Sequence, residues 1–171
     1  MTINTCYLCG SMKTIERRDK HFTRGNKMNI LVLYNSRAGH THETADAIAQ
    51  LARDMDHTVT VKSVVEVHEI NVKNADFIFI GTWVHGMILF GVKPAGADLW
   101  VPSLPSLADK SVATFCTYAF SPRSSLRQFG RMLETHGAIV VGQQAFHRNR
   151  PTQGVETFVQ SMLQSREPAL V

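Results

Sequence analysis

Cysteine is scarce in this chain: Cys6, Cys9 and Cys116 are the only three in 171 residues. An odd set without regular spacing excludes the disulfide framework of a small secreted domain and suits a reducing compartment. No apolar run approaches the ~20 residues that a membrane-spanning helix needs. The N-terminus also lacks the apolar core of a signal peptide, so a cytoplasmic protein without a membrane span is expected. Several chemical signatures are missing too. There is no Gly-x-x-x-x-Gly-Lys-Ser/Thr phosphate loop, no Gly-x-Gly-x-x-Gly turn and no His-Glu-x-x-His pair. Neither a Ser-His-Asp spacing nor a pair of carboxylates at a loop end is found, and no catalytic side chain is assigned. Cys6-x-x-Cys9 has only His21 nearby as a third ligand where structural zinc takes four, so no metal site is assigned.

The basic excess is local. The chain carries 18 Lys and Arg against 14 Asp and Glu. Lys13, Arg17, Arg18, Lys20, Arg24 and Lys27 oppose only Glu16 and Asp19 in residues 1–27, which leaves twelve basic and twelve acidic side chains in residues 28–171. The net charge of +4 therefore belongs to the first 27 residues and gives no reason to expect a nucleic-acid partner. That segment is polar and has no sustained apolar period, so it reads as a mobile extension ahead of one domain, residues 28–171. A domain of this length buries a sizeable core without disulfides.

What is present begins at Met28. Ile30-Leu31-Val32-Leu33-Tyr34 is a short apolar run suited to a strand buried on both faces of a parallel sheet. Asn35 to His42 is small, hydroxyl-bearing and contains Gly39; Thr44, Ala45, Ile48, Leu51, Ala52 and Met55 then recur at helical spacing. Strand, loop and helix in that order leave free N–H groups and the positive end of a helix dipole pointing at one spot, which is a place for an anion.

Further strands are expected at 58–67, 76–80, 111–116 and 138–141. Helices are expected at Lys93–Trp100, opened by Pro94, after Ser121-Pro122 with Leu126, Phe129, Met132 and Leu133 as its apolar face, and through Val155, Phe158, Val159 and Met162. The alternation predicts an α/β fold: a three-layer, doubly wound, five-stranded parallel sheet with strand order 2-1-3-4-5. Its ligand site lies beyond the carboxyl ends of the strands, between strands one and three.

Ser36-Arg37-Ala38-Gly39-His40-Thr41 resembles the phosphate loop of the flavodoxin family, Ser/Thr-x-Thr-Gly-x-Thr, in its first hydroxyl, its glycine and its last hydroxyl. The middle hydroxyl is replaced by Ala38, and the His after the glycine is similar to the variant loop of flavodoxin-like quinone reductases. Two later stretches also resemble family loops: Gly81-Thr82-Trp83-Val84-His85-Gly86 and Thr117-Tyr118-Ala119-Phe120. The likeness covers about Asn29 to Gln164 and is nearest the short-chain form, because strand five has no long insertion. It implies a flavoprotein that binds flavin mononucleotide (FMN), a nucleotide, with its phosphate at Ser36–Thr41 and its ring between the two later loops. Trp83, Tyr118 or Phe120 would supply the stacking face, and His85 would be the titrating group beside the ring. The implied function is electron transport to a redox partner protein or to a small-molecule acceptor such as a quinone. Two alternatives stand beside it: an FMN-dependent quinone or porphyrinogen oxidoreductase, and a binding module on the same scaffold that has lost its flavin. The oligomeric state is left open.

Overall fold

The computed structural model describes residues 27–85, 93–122 and 124–164. Cys6, Cys9, His21 and Gly86 lie outside the described residues. The strands are β1 (Asn29–Tyr34), β2 (Thr58–Ser63), β3 (Phe77–His85), the two-residue β4 (Lys93–Pro94), β5 (Ser111–Tyr118) and β6 (Ile139–His147). The helices are α1 (His40–Asp54), α2 (Glu69–Lys73), α3 (Ala97–Trp100), α4 (Ser125–Thr135) and α5 (Val155–Gln164), with a 3-10 turn over Val101–Ser103.

The five long strands are parallel and lie in the order β2-β1-β3-β5-β6, which is 2-1-3-4-5 counted along the chain with β4 set aside. Alternation within the apolar runs explains the two cores. Ile30, Val32, Phe77, Phe79, Ala113 and Phe115 face α1 and α5, where Ala45, Ile48, Ala49, Phe158 and Val159 meet them. Leu31, Leu33, Ile78, Ile80 and Val112 face the other layer, built from Val72, Ala97, Val101, Phe129 and Leu133. Phe77, Phe79, Phe115, Phe129 and Phe146 are all fully buried; each contributes about 1.5–3 kcal/mol relative to exposure. Cys116 lies in the same sheet, and burial pushes its thiol up to about 12. Among the described residues no helix is long and apolar enough to cross a membrane.

Several boundaries differ from the sequence expectation, each for a pairing reason. The third strand does not stop at Ile80. It runs to His85 because β5 continues beside it through Gly81↔Phe115, Thr82↔Cys116 and Trp83↔Thr117, and β4 then pairs Val84↔Pro94 and His85↔Lys93. The expected helix Lys93–Trp100 is correspondingly shortened to Ala97–Trp100, entered through Gly96 at φ 58°. Pro94 thus serves a strand bridge, not a helix start. The second strand ends at Ser63, ahead of a turn over 64–66, and α2 follows where no helix is expected. The fifth strand continues past Val141 to His147 along β5 and carries a register shift opposite Val112 and Ala113. It is an edge strand, and Ile139 and Val141 on it are 52% and 40% exposed.

Candidate functional site

The carboxyl ends of β1, β3, β5 and β6 come together around one cavity of about 190 Å³. Its floor is the β1–α1 loop. Gly39 is the residue before α1, at φ 89°, a left-handed conformation that costs a β-carbon-bearing residue strain and glycine nothing. The turn is closed by the Gly39 N–H, which donates to Ser36 Oγ at 3.2 Å and leaves the Ser36 hydroxyl proton available. Among the described residues no acceptor stands opposite the backbone N–H groups of Arg37, Ala38, His40 and Thr41. They are the unpaired donors of a loop leading into a helix.

Thr41 and Thr117 join the floor to the end of β5. Their Oγ1 atoms lie 2.8 Å apart, and the residues are 1% and 3% exposed. Two hydroxyls sharing one hydrogen bond hold one proton more than the bond uses. A surplus donor therefore sits beside the free N–H groups. Arg37 and Arg148 add guanidinium charge to the lining. Arg37 lies over Trp83, its Cζ 5.8 Å from the ring centroid.

The opposite wall is fixed from β6. His147 Nε2 lies 2.8 Å from the Ala119 carbonyl, and its Nδ1 accepts from the Asn149 N–H at 3.3 Å. Both contacts are satisfied together only by the neutral tautomer with the proton on Nε2, which donates to the carbonyl. The Tyr118 ring stands edge-on to His147, centroids 5.4 Å apart at 88°. The Arg148 N–H donates to the Tyr118 carbonyl at 2.8 Å, so the turn after β6 carries Arg148 to the cavity.

A flavodoxin-domain family model matches residues 31–146, more than half of the sequence. The chain belongs to the flavodoxin family. No curated relative matches it. Among solved structures it is similar to oxidised flavodoxin 2 from Bacillus cereus (21% identity, TM-score 0.64, 80% of this chain and 99% of that one). It is also similar to two-electron reduced Megasphaera elsdenii flavodoxin (18% identity, TM-score 0.61, 77% and 98%). A third is rubredoxin oxygen:oxidoreductase from Desulfovibrio gigas (19% identity, TM-score 0.60), where the match covers 80% of this chain and 34% of that one. At these identities the likeness is one of fold.

The cofactor of the flavodoxin family is FMN, and its general function is electron transfer. The donor set described above fits the phosphate of that cofactor, since unpaired N–H groups, a surplus hydroxyl proton and two guanidinium groups all suit an anion. Of the residues singled out from sequence, the structure brings Ser36, Arg37, Ala38, His40, Thr41, Trp83, Val84, Thr117, Tyr118 and Ala119 to the cavity wall. Gly39 shapes the loop without lining the cavity. Thr82 is fully buried in β3 and its hydroxyl meets no partner among the described residues, while Phe120 is 81% exposed and away from the wall. His85 belongs to β3 by its backbone. His42 turns outward, stacking on Tyr34 at 4.4 Å and standing 3.4 Å from Asp46. Among the described residues no three His, Cys, Asp or Glu side chains are placed to hold a metal.

Arg148 and His147 were not legible from sequence. The rule that ligands sit beyond strand carboxyl ends does point to whatever follows the fifth strand. The polar run Gly142-Gln143-Gln144 conceals where that strand ends.

Proposed function

We propose that this protein is an FMN-binding electron carrier whose cofactor occupies the cavity between the β1–α1 loop and the ends of β3 and β5. The supporting observation is the convergence of unpaired donors on one spot: the N–H groups of Arg37, Ala38, His40 and Thr41 beside the Thr41–Thr117 hydroxyl pair. A phosphate dianion satisfies them. Ser36 and Arg148 complete its surroundings, and Ala38 contributes its N–H in place of a hydroxyl. Trp83 and Tyr118 offer aromatic faces to a flat ring, for which offset stacking is favourable. The bound cofactor supplies the redox chemistry, accepting and returning electrons.

The protein's own part is binding and tuning. Arg37 and Arg148 offset the phosphate charge, and His147 holds the Tyr118 loop through Ala119. The donor is a redox partner, and the acceptor is a second protein or a small molecule such as a quinone. The absence of a strongly acidic field in residues 28–171 favours acceptors of moderate potential. In this reading residues 1–27 are an extension outside the cofactor domain, and the scarcity of cysteine suits a reducing compartment such as the cytoplasm.

Titrating the cofactor-free protein with FMN and with riboflavin tests the proposal. FMN is expected to bind far more tightly and to leave the protein yellow after gel filtration. Equal, weak binding of the two would mean that the loop holds no phosphate, and the scaffold would then be read as a binding module without flavin.

A further inference from the structure

On the far side of the Arg37–Trp83 pair the surface opens into a second, larger groove of about 650 Å³. Trp83, Trp100, Leu99 and Pro94 give it apolar walls, with Arg37 and Asp98 as its charged groups. Both tryptophans of the chain line this one groove. Trp100 is held in place. Its Nε1–H donates to the Ala95 carbonyl at 3.2 Å, Asn35 Nδ2 donates to the same carbonyl at 3.1 Å, and its ring packs 5.7 Å from that of Phe129. Leu99 is 78% exposed beside it. Among the described residues neither Arg37 nor Asp98 has an ion-pair partner.

These features specify a ligand class. Two indole rings and an exposed leucine suit a flat aromatic body, which gains most from stacking. The Arg37 guanidinium, shared with the cofactor cavity and held over the Trp83 ring but without an ion-pair partner among the described residues, recognises a carboxylate with strength that a neutral group does not match. An uncommitted carboxylate in the same groove would repel that acid unless the ligand also presents an N–H or O–H donor toward it. A volume of about 650 Å³ lies within the ~300–1,000 Å³ range of small-molecule sites. We propose that this groove binds a planar aromatic acid bearing a hydrogen-bond donor, such as a hydroxyaromatic carboxylate, with its ring against the tryptophans, its acid on Arg37 and its donor on Asp98.

Arg37 and Trp83 line both this groove and the cofactor cavity, so the two ligands are coupled: whatever factor one changes in the other's affinity is returned in equal measure. This second part rests on the FMN reading. The binding itself does not.

The test is a calorimetric titration of the full chain, with and without FMN, using 3-hydroxy-2-naphthoate as the probe and tryptophan emission as a parallel signal. Saturable one-site binding that quenches the tryptophans is expected, with 2-naphthol binding roughly tenfold more weakly because it lacks the acid. Leu99→Glu places a carboxylate on the exposed rim and should also weaken the naphthoate roughly tenfold, while leaving FMN affinity unchanged. Arg37→Met should abolish the preference for naphthoate over naphthol. Absence of saturable binding, insensitivity to both substitutions, or stoichiometric release of FMN by the probe would each overturn the proposal. A chain that binds FMN but not naphthoate refutes the groove and keeps the proposed function. A chain that binds naphthoate but not FMN does the reverse.

Discussion

Valine at position 117 would remove the hydroxyl that Thr41 Oγ1 meets at 2.8 Å, at a point where neither threonine is more than 3% exposed. In the cofactor-free chain the remaining Thr41 hydroxyl is buried without a partner, which costs about 1–3 kcal/mol. Thr41→Val strands Thr117 in the same way and should cost a similar amount. The double variant removes both hydroxyls and keeps the shape of the joint, so its stability should return close to that of the parent, as matched apolar replacements do. Folding and binding then part company. If the surplus proton of the pair serves the phosphate, the double variant loses a charge-assisted hydrogen bond of about 1.5–3 kcal/mol and binds FMN roughly tenfold to two-hundredfold more weakly, while each single variant keeps one hydroxyl proton to donate and loses less. Riboflavin, having no phosphate, should bind all four proteins alike. Urea unfolding measures the first effect, and flavin fluorescence quenching measures the second. A double variant that holds FMN as tightly as the parent would refute the assignment of these hydroxyls to the phosphate. One whose loss of stability is the sum of the two singles would refute the view that they satisfy each other.

Four other outcomes are expected. With twelve basic and twelve acidic side chains in residues 28–171, the second one-electron step of the FMN complex should be less negative than that of a strongly acidic flavodoxin. One unit charge about 10 Å from the ring is worth roughly 0.4–1.7 kcal/mol, on the order of tens of millivolts, and spectroelectrochemical titration of both proteins side by side decides the matter. Gly81→Ala should destabilise the fold by about 1–3 kcal/mol through overpacking, read from thermal melting, because the added carbon would stand 2.1 Å from the Phe115 ring. His57 accepts from the Met28 N–H at 3.3 Å, and burial holds its pKa below the usual 6.5 despite Asp56. The unfolded chain thus binds the proton more readily, so this contribution to stability is full above pH 6.5 and fades as the pH falls through the folded value; melting curves of His57→Gln should lose that part of the acid sensitivity. Deleting residues 1–27 should leave melting temperature and FMN affinity nearly unchanged, and loss of flavin on truncation would contradict the placing of that segment outside the cofactor domain.

Much of this architecture could be read from residue order because its signals are local. Ile30–Leu33 and Phe77–Ile80 are apolar at every position, which only a strand covered on both faces requires, and the polar loop with Gly39 between β1 and α1 marks the candidate anion site. What escaped was set by partners distant in sequence. Trp83 and Val84 look like loop residues because Gly81 and Thr82 precede them, yet β5 and Pro94 keep them in a strand. The 93–100 segment carries a helix-opening proline, and the pairing with β3 overrides it. Arg148 reaches the cavity only because β6 runs beside β5 as far as Tyr118↔His147, a length its half-exposed edge composition does not announce. Phe120 matched a stacking role by residue type, but nothing in its own neighbourhood fixes the direction of its side chain.

The last strand bears on what becomes of this protein when it is crowded. A parallel sheet that ends on an open row of N–H and C=O groups invites a neighbouring molecule to add its own strand, and the next to add another. Among the described residues β6 is such a terminus, and Ile139 and Val141 would make the addition sticky. The register there steps from Val112↔Val140 to Ala113↔Gly142, so Val141 is an extra residue that throws the outer row out of step. An incoming strand would match the rhythm on one side of that step but not on both, which limits how far pairing along the edge could extend. An electron carrier of the kind proposed, which lets go of each partner before meeting the next, would gain from an edge that resists extension.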